Sequence, residues 1–193
     1  ENPKRMAVMS WVVESVRNFA SQVASLNQVL AELNGQQIVS GLNAVVGDEG
    51  SGKTRFLRQL CEAHPDALWL DTRLPEHDQV TSEEFWALLK SKHTHWNDGL
   101  CKELSLALDL HDHLGKQLFM LSKGSRRKVA LIALLASGSQ FICLDQPFVA
   151  LDQTSIAVLC DFLNDMADAP SRAWLVADYE ADPRLDWGSV IKL

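Results

Sequence analysis

The chain has 193 residues, 47% of them hydrophobic, enough to bury a full core as one globular domain. Its formal charge of −7 argues against a nucleic-acid partner, which would need a basic stripe. No run of about 18 apolar residues and no secretory pattern is found, and the four cysteines lie apart without a C-x-x-C pair, so the sequence predicts a soluble, reduced, cytoplasmic protein.

Residues 9–30 place Met9, Val12, Val13, Val16, Phe19, Val23, Leu26 and Leu30 at helical spacing. They predict an amphipathic helix within an N-terminal extension, residues 1–30, packed on the core or held against a partner. Asn34-Gly35 marks a turn, and Ile38-Val39 a short strand before the Ser40-Gly41 turn. Residues 42–46 read as a buried strand running into Gly47, Asp48, Glu49, Gly50, Ser51, Gly52, Lys53 and Thr54, which fit G-x-x-x-x-G-K-[ST] at every fixed position. A helix follows over residues 55–61, with Phe56, Leu57 and Leu60 on one face. Strand, glycine loop and helix are what a polyphosphate needs. Glycines let successive N–H groups turn inward, the helix N-terminus presents the positive end of its dipole, and Lys53 reaches the β- and γ-phosphates. Thr54 can ligate Mg²⁺ through its hydroxyl. The motif therefore predicts binding of ATP or GTP.

Further along, residues 67–70, 141–144, 173–176 and 190–193 read as strands, the second ending at Asp145. Helices are expected over residues 98–110, 125–136 and 154–166, and one capped by Ser82 that runs through Phe85, Trp86 and Leu89. The alternation predicts an α/β fold: a P-loop NTPase with a mostly parallel sheet flanked by helices. Residues 82–120 contain no strand and should form a small helical subdomain. Arg126, Arg127 and Lys128 read as a solvated helix face. Cys61 and Cys143 read as small core residues, and the pairs His93/His95 and His111/His113 as surface histidines.

Leu121-Ser122-Lys123-Gly124-Ser125 opens a helix, residues 141–147 (Phe-Ile-Cys-Leu-Asp-Gln-Pro) follow it, and Phe148-Val149-Ala150-Leu151-Asp152 comes directly after. With the phosphate loop, this ordered series resembles the ATP-binding cassette ATPases over residues 41–176: an LSGGQ-like signature, a Walker B strand ending L-D-E-P, and a loop ending A-L-D. Within that family, Arg126 to Leu131 and the Pro-Phe-x-Ala-Leu-Asp run look like the haem-exporter ATPases of cytochrome c maturation; importer ATPases share the second run. The resemblance implies that Asp145 holds Mg²⁺ and that Ser122 and Gly124 touch the γ-phosphate held by the opposite subunit. It further implies that Asp152 shapes the dimer seam. Two Mg·ATP sandwiched between two subunits, self or a related ATPase, and driving a membrane permease from its cytoplasmic side, is the implied working state.

The chain departs from the family at several positions. Gln146 stands where the family carries the catalytic glutamate; neutral and nearly isosteric, it can hold a water but not act as a base. Asp178 falls where the family has its switch histidine, and a carboxylate there would repel a γ-phosphate unless protonated or turned away. The Q-loop glutamine is replaced within Leu70-Asp71-Thr72-Arg73, with Gln79 a poorly placed substitute, and Lys123 replaces the first signature glycine. The antiparallel β part that frames the adenine is trimmed, leaving Trp11 and Phe19 as remote stacking candidates. The expectation is an ATPase that is slow or inactive as it stands. The alternative is a degenerate module that binds nucleotide, without turnover, to regulate or scaffold. A chromosome-maintenance ATPase fits less well, because residues 54–121 leave no room for a long coiled coil.

Overall fold

A computed structural model describes residues 28–193. Most of the helix expected over residues 9–30, with Trp11 and Phe19, lies outside them. Its last residues depart from the expectation: Val29 and Leu30 begin a strand, β1 (Val29–Leu33), paired antiparallel with β2 (Gln36–Val39). The turn between them explains the hairpin. Asn34 and Gly35 both take positive φ, 53° and 76°, the backbone whose twist matches that of two flanking strands. This hairpin is the trimmed antiparallel part.

The main sheet is parallel throughout, in the order β4 (Ala67–Trp69), β5 (Phe141–Asp145), β6 (Ala173–Asp178), β3 (Gly41–Val46) and β7 (Ser189–Lys192). Strand side chains alternate between two cores, as the period of two dictates. Phe141, Cys143, Leu175 and Val45 meet Phe56, Leu57 and Leu60 of α1 (Lys53–Ala63), together with Ile38 of β2. Ile142, Leu144, Trp174 and Val176 face the opposite way, onto α4 (Lys123–Ala136) and α5 (Gln153–Asp165).

Helix α4 is buried without interruption from Lys128 to Ala136, because it is covered on both sides. The sheet lies on one side, and on the other lie α2 (Ser82–Lys90) and α3 (Asp98–Ala107), with the Trp86 indole donating to the Val129 carbonyl at 3.0 Å. Residues 82–120 hold these two helices and short 3₁₀ turns, and no strand. The cap of α2 is Thr81 rather than Ser82. Thr81 Oγ1 accepts from the Glu84 N–H at 3.2 Å and Glu84 accepts from the Thr81 N–H at 2.7 Å, a capping box that satisfies two helix-end donors, while Ser82 is buried one position further in.

Register brings the strand ends level. Val46 pairs with Asp178, and Asp145 with Ala177. The C-terminal edge of a parallel sheet is where a doubly covered fold leaves a crevice for a ligand, and the segments that follow β3, β4, β5 and β6 leave the sheet there.

Candidate functional site

The loop from Gly47 to Gly52 joins β3 to α1 and is shaped by two left-handed glycines, Gly50 at φ 78° and Gly52 at φ 102°. A Cβ at either would meet nothing, so these glycines serve backbone direction around an open cradle rather than close packing. Gly52 is also the N-cap of α1 and supplies no side-chain acceptor, and no acidic residue lies in the first turn. The helix therefore presents its free N–H groups and dipole to the cradle, an arrangement that favours an anion. Lys53 folds back over the loop: its Nζ donates to the carbonyls of Gly47 at 2.6 Å and Asp48 at 2.7 Å, and the side chain is buried. Across the crevice, Thr54 Oγ1 donates to Asp145 Oδ2 at 2.6 Å. A hydroxyl and a carboxylate 91 residues apart in sequence thus meet as a pair of hard oxygen donors, the chemistry Mg²⁺ selects.

These residues open onto a cleft of about 620 Å³. Its walls carry Lys53, Arg55, Arg58, Arg73 and Arg127 against Glu49, Asp71 and Asp145, so an acidic chain concentrates positive charge where a polyphosphate would lie. The stretch Leu70-Asp71-Thr72-Arg73 lines the same cleft. Asp71 is engaged there by its neighbour: Arg73 Nη2 and Nε donate to its two oxygens at 2.7 and 3.0 Å, and that pairing holds the Asp71 carboxyl below the usual carboxylate range. Arg58 lies over the Trp69 ring at 4.3 Å, which leaves that aromatic face occupied.

Gln146 follows Asp145 directly and lines the cleft. Its φ of 46° is uncommon for a non-glycine residue and is held by its N–H, which donates to the Ala177 carbonyl at 2.8 Å. Asp178 is placed differently. Its Oδ1 accepts from the next residue's own N–H, that of Tyr179, at 2.8 Å, and its side chain is not among those lining the cleft. Tyr179 takes that place, with the Lys53 ammonium 5.0 Å from its ring centroid.

The signature segment sits apart from the cradle. Ser122 caps α4, its Oγ accepting from the Ser125 N–H at 3.0 Å, and it remains exposed. Gly124 is required by close approach: a Cβ there would stand 2.7 Å from the Ala150 carbonyl oxygen. Neither residue lines the cleft. Asp152 is tied down within its own chain. It caps α5 through the Ser155 N–H at 2.8 Å and accepts from the buried Lys128 at 2.8 Å, and that lysine, ahead of the Ser155 backbone, draws its carboxyl well below the usual range.

The basic cluster is not a solvated face, because α4 is covered on both sides. Arg126 donates to the Leu74 carbonyl at 2.5 Å and pairs with Asp78, Lys128 donates to the Leu108 carbonyl at 2.9 Å, and Arg127 donates to the Val149 carbonyl at 3.1 Å. Burial pushes the Arg127 guanidinium down while the nearby Asp145 and Asp71 carboxylates draw it up. Sequence reasoning missed Arg127, Arg58 and Tyr179 as site residues. The available signal was position: Arg127 lies in the first turns of the signature helix, and Tyr179 directly follows a strand that ends at the crevice.

The ABC transporter family model matches residues 26–149. A cytochrome c biogenesis ATP-binding export protein of Albidiferax ferrireducens is 28% identical over 142 residues, 62% of this chain and 68% of its own length. Another so named, from Paramagnetospirillum magneticum, is 32% identical over 164 residues, 70% of this chain and 74% of its own. Among solved structures, an ATP-binding protein from Pyrococcus furiosus superposes with a TM-score of 0.66 at 19% identity, over 89% of this chain and 93% of that one. At that identity the likeness bears on the fold alone.

Proposed function

The chain belongs to the ABC transporter family, and from that premise we propose that it is an ATP-binding subunit that dimerises around two Mg·ATP and acts on a membrane partner, with hydrolysis weakened by Gln146. The observation that carries this reading is the meeting of Lys53, Thr54 and Asp145 at level strand ends, over an open glycine cradle in a cationic cleft. Among the described residues no helix is long and apolar enough to cross a membrane. Relatives named as cytochrome c biogenesis ATP-binding export proteins support an export role.

In this reading the cradle N–H groups and Lys53 hold the phosphates, and Thr54 and Asp145 hold Mg²⁺. Mg²⁺ held by Thr54 and Asp145 would supply positive charge against the charge that develops on the phosphates. Gln146 positions water at the end of β5 without accepting its proton. Ser122 and Gly124, outside their own chain's cleft, would complete the site of a second copy, the exposed Ser122 hydroxyl and the start of α4 serving as anion donors.

Sedimentation velocity tests the dimer. The chain is expected to sediment as a monomer alone and as a dimer with Mg·ATP, and Ser122→Arg, which adds bulk on the exposed signature face, is expected to keep it monomeric with ATP bound. A sedimentation coefficient unchanged by bound nucleotide would remove the sandwich from the account.

The second reading, a nucleotide-binding module without turnover, draws on two observations: Asp178 bound to its own backbone and Asp71 engaged by Arg73. Efficient hydrolysis by a Gln146→Glu protein would rule it out.

A further inference from the structure

We propose that Tyr179 reads the terminal phosphate in this cleft: its ring covers the Lys53 ammonium when no nucleotide is bound, and its hydroxyl becomes a phosphate donor when a triphosphate is. The inference builds on the ATP-binding reading above and concerns how that same site tells a triphosphate from a diphosphate.

Three observations converge on this residue. First, among the described residues the partners of Lys53 are all neutral: the carbonyls of Gly47 and Asp48 and, 5.0 Å from Nζ, the Tyr179 ring. A P-loop ammonium paired to a carboxylate would have to break an ion pair before meeting a phosphate. This one has only carbonyls and an aromatic face to exchange, and a half-exposed cation–π contact is weaker than a charge-assisted hydrogen bond. Second, the chain removes the obvious competitor. Asp178 at the end of β6 accepts from the Tyr179 N–H, so its carboxylate serves the local backbone and the next side chain is the one that reaches the cleft. Third, Tyr179 lines the same cleft as Asp145 and Gln146, the residues that the reading above gives to the metal and the water. A phenol carries both a polarisable face for the cation and an O–H donor for the anion, so one side chain can serve both states.

Tyr179 is the only tyrosine in the chain, so biosynthetic 3-fluorotyrosine gives a single ¹⁹F resonance from this position. Mg·ADP, which engages Lys53 through its β-phosphate, is expected to shift that resonance as Lys53→Ala does without nucleotide, and Mg·ATP to shift it further because only the terminal phosphate meets the hydroxyl. In equilibrium binding, Tyr179→Phe keeps the ring and loses the donor. It should weaken Mg·ATP about tenfold, the low end for losing a hydrogen bond to a charged group, and change Mg·ADP affinity by less than about twofold. Equal resonance shifts with both nucleotides, or equal loss of both affinities in Tyr179→Phe, would overturn the inference while leaving the phosphate site intact. A chain that binds neither nucleotide would overturn the ATP-binding reading itself, and the role of Tyr179 with it.

Discussion

Replacing Gln146 with glutamate raises Mg·ATP hydrolysis by about 10²–10⁴-fold, the range over which a positioned general base acts. Residue 146 leaves β5 immediately after Asp145, its backbone set at φ 46° and anchored by the N–H to the Ala177 carbonyl. Neither constraint depends on the side chain, so glutamate enters the same backbone with nearly the same shape and brings a carboxylate able to accept a proton from water. Nucleotide affinity should change little, because none of the residues given a phosphate contact is residue 146. Steady-state phosphate release at saturating nucleotide is the measurement. A revertant that stays silent while binding ATP would favour the regulatory or scaffold reading, with the placements of Asp178 and Asp71 as its structural causes.

In that Gln146→Glu background, Asp145→Asn should return hydrolysis to near its starting level, a loss of about 10²–10³-fold. That is the effect expected when the several kcal/mol of charge stabilisation supplied by a held metal is removed. Thr54 Oγ1 already donates to Asp145 Oδ2, and an asparagine oxygen can accept the same bond, so the fold of the crevice is expected to survive. The diagnostic sign is the metal dependence: nucleotide affinity of the aspartate form should rise with Mg²⁺ concentration, and that of the asparagine form should not. Equal metal dependence in both would remove Asp145 from the role given to it here.

Much of this was legible from sequence because it depends on local pattern. The glycine loop, the apolar strand before it and the strand ending at Asp145 each combine a period with a turn signal, and the fold places them as those signals imply. The residues that sequence misplaced are those whose surroundings come from distant segments. Val29 and Leu30 continue an apolar stripe at helical spacing, yet pairing across the Asn34-Gly35 turn makes them strand. The arginines and lysine of α4 resemble any charged helix face until the helical segment is laid over them and Leu74, Leu108 and Val149 offer their carbonyls. At position 178, residue type alone suggests a charge facing a phosphate. In the fold that carboxylate accepts from the adjacent N–H, and Tyr179 lines the cleft, a direction that no local pattern carries.

The measurement that bears most directly on the central claim is calorimetric titration of the chain with Mg·ATP beside its Lys53→Ala variant. The account predicts saturable, micromolar-range binding by the chain, weakened about 10- to 150-fold in the variant by the loss of a charged hydrogen-bonding group at the phosphates. Absence of saturable binding, or equal affinity in the two proteins, would contradict a phosphate site at this loop.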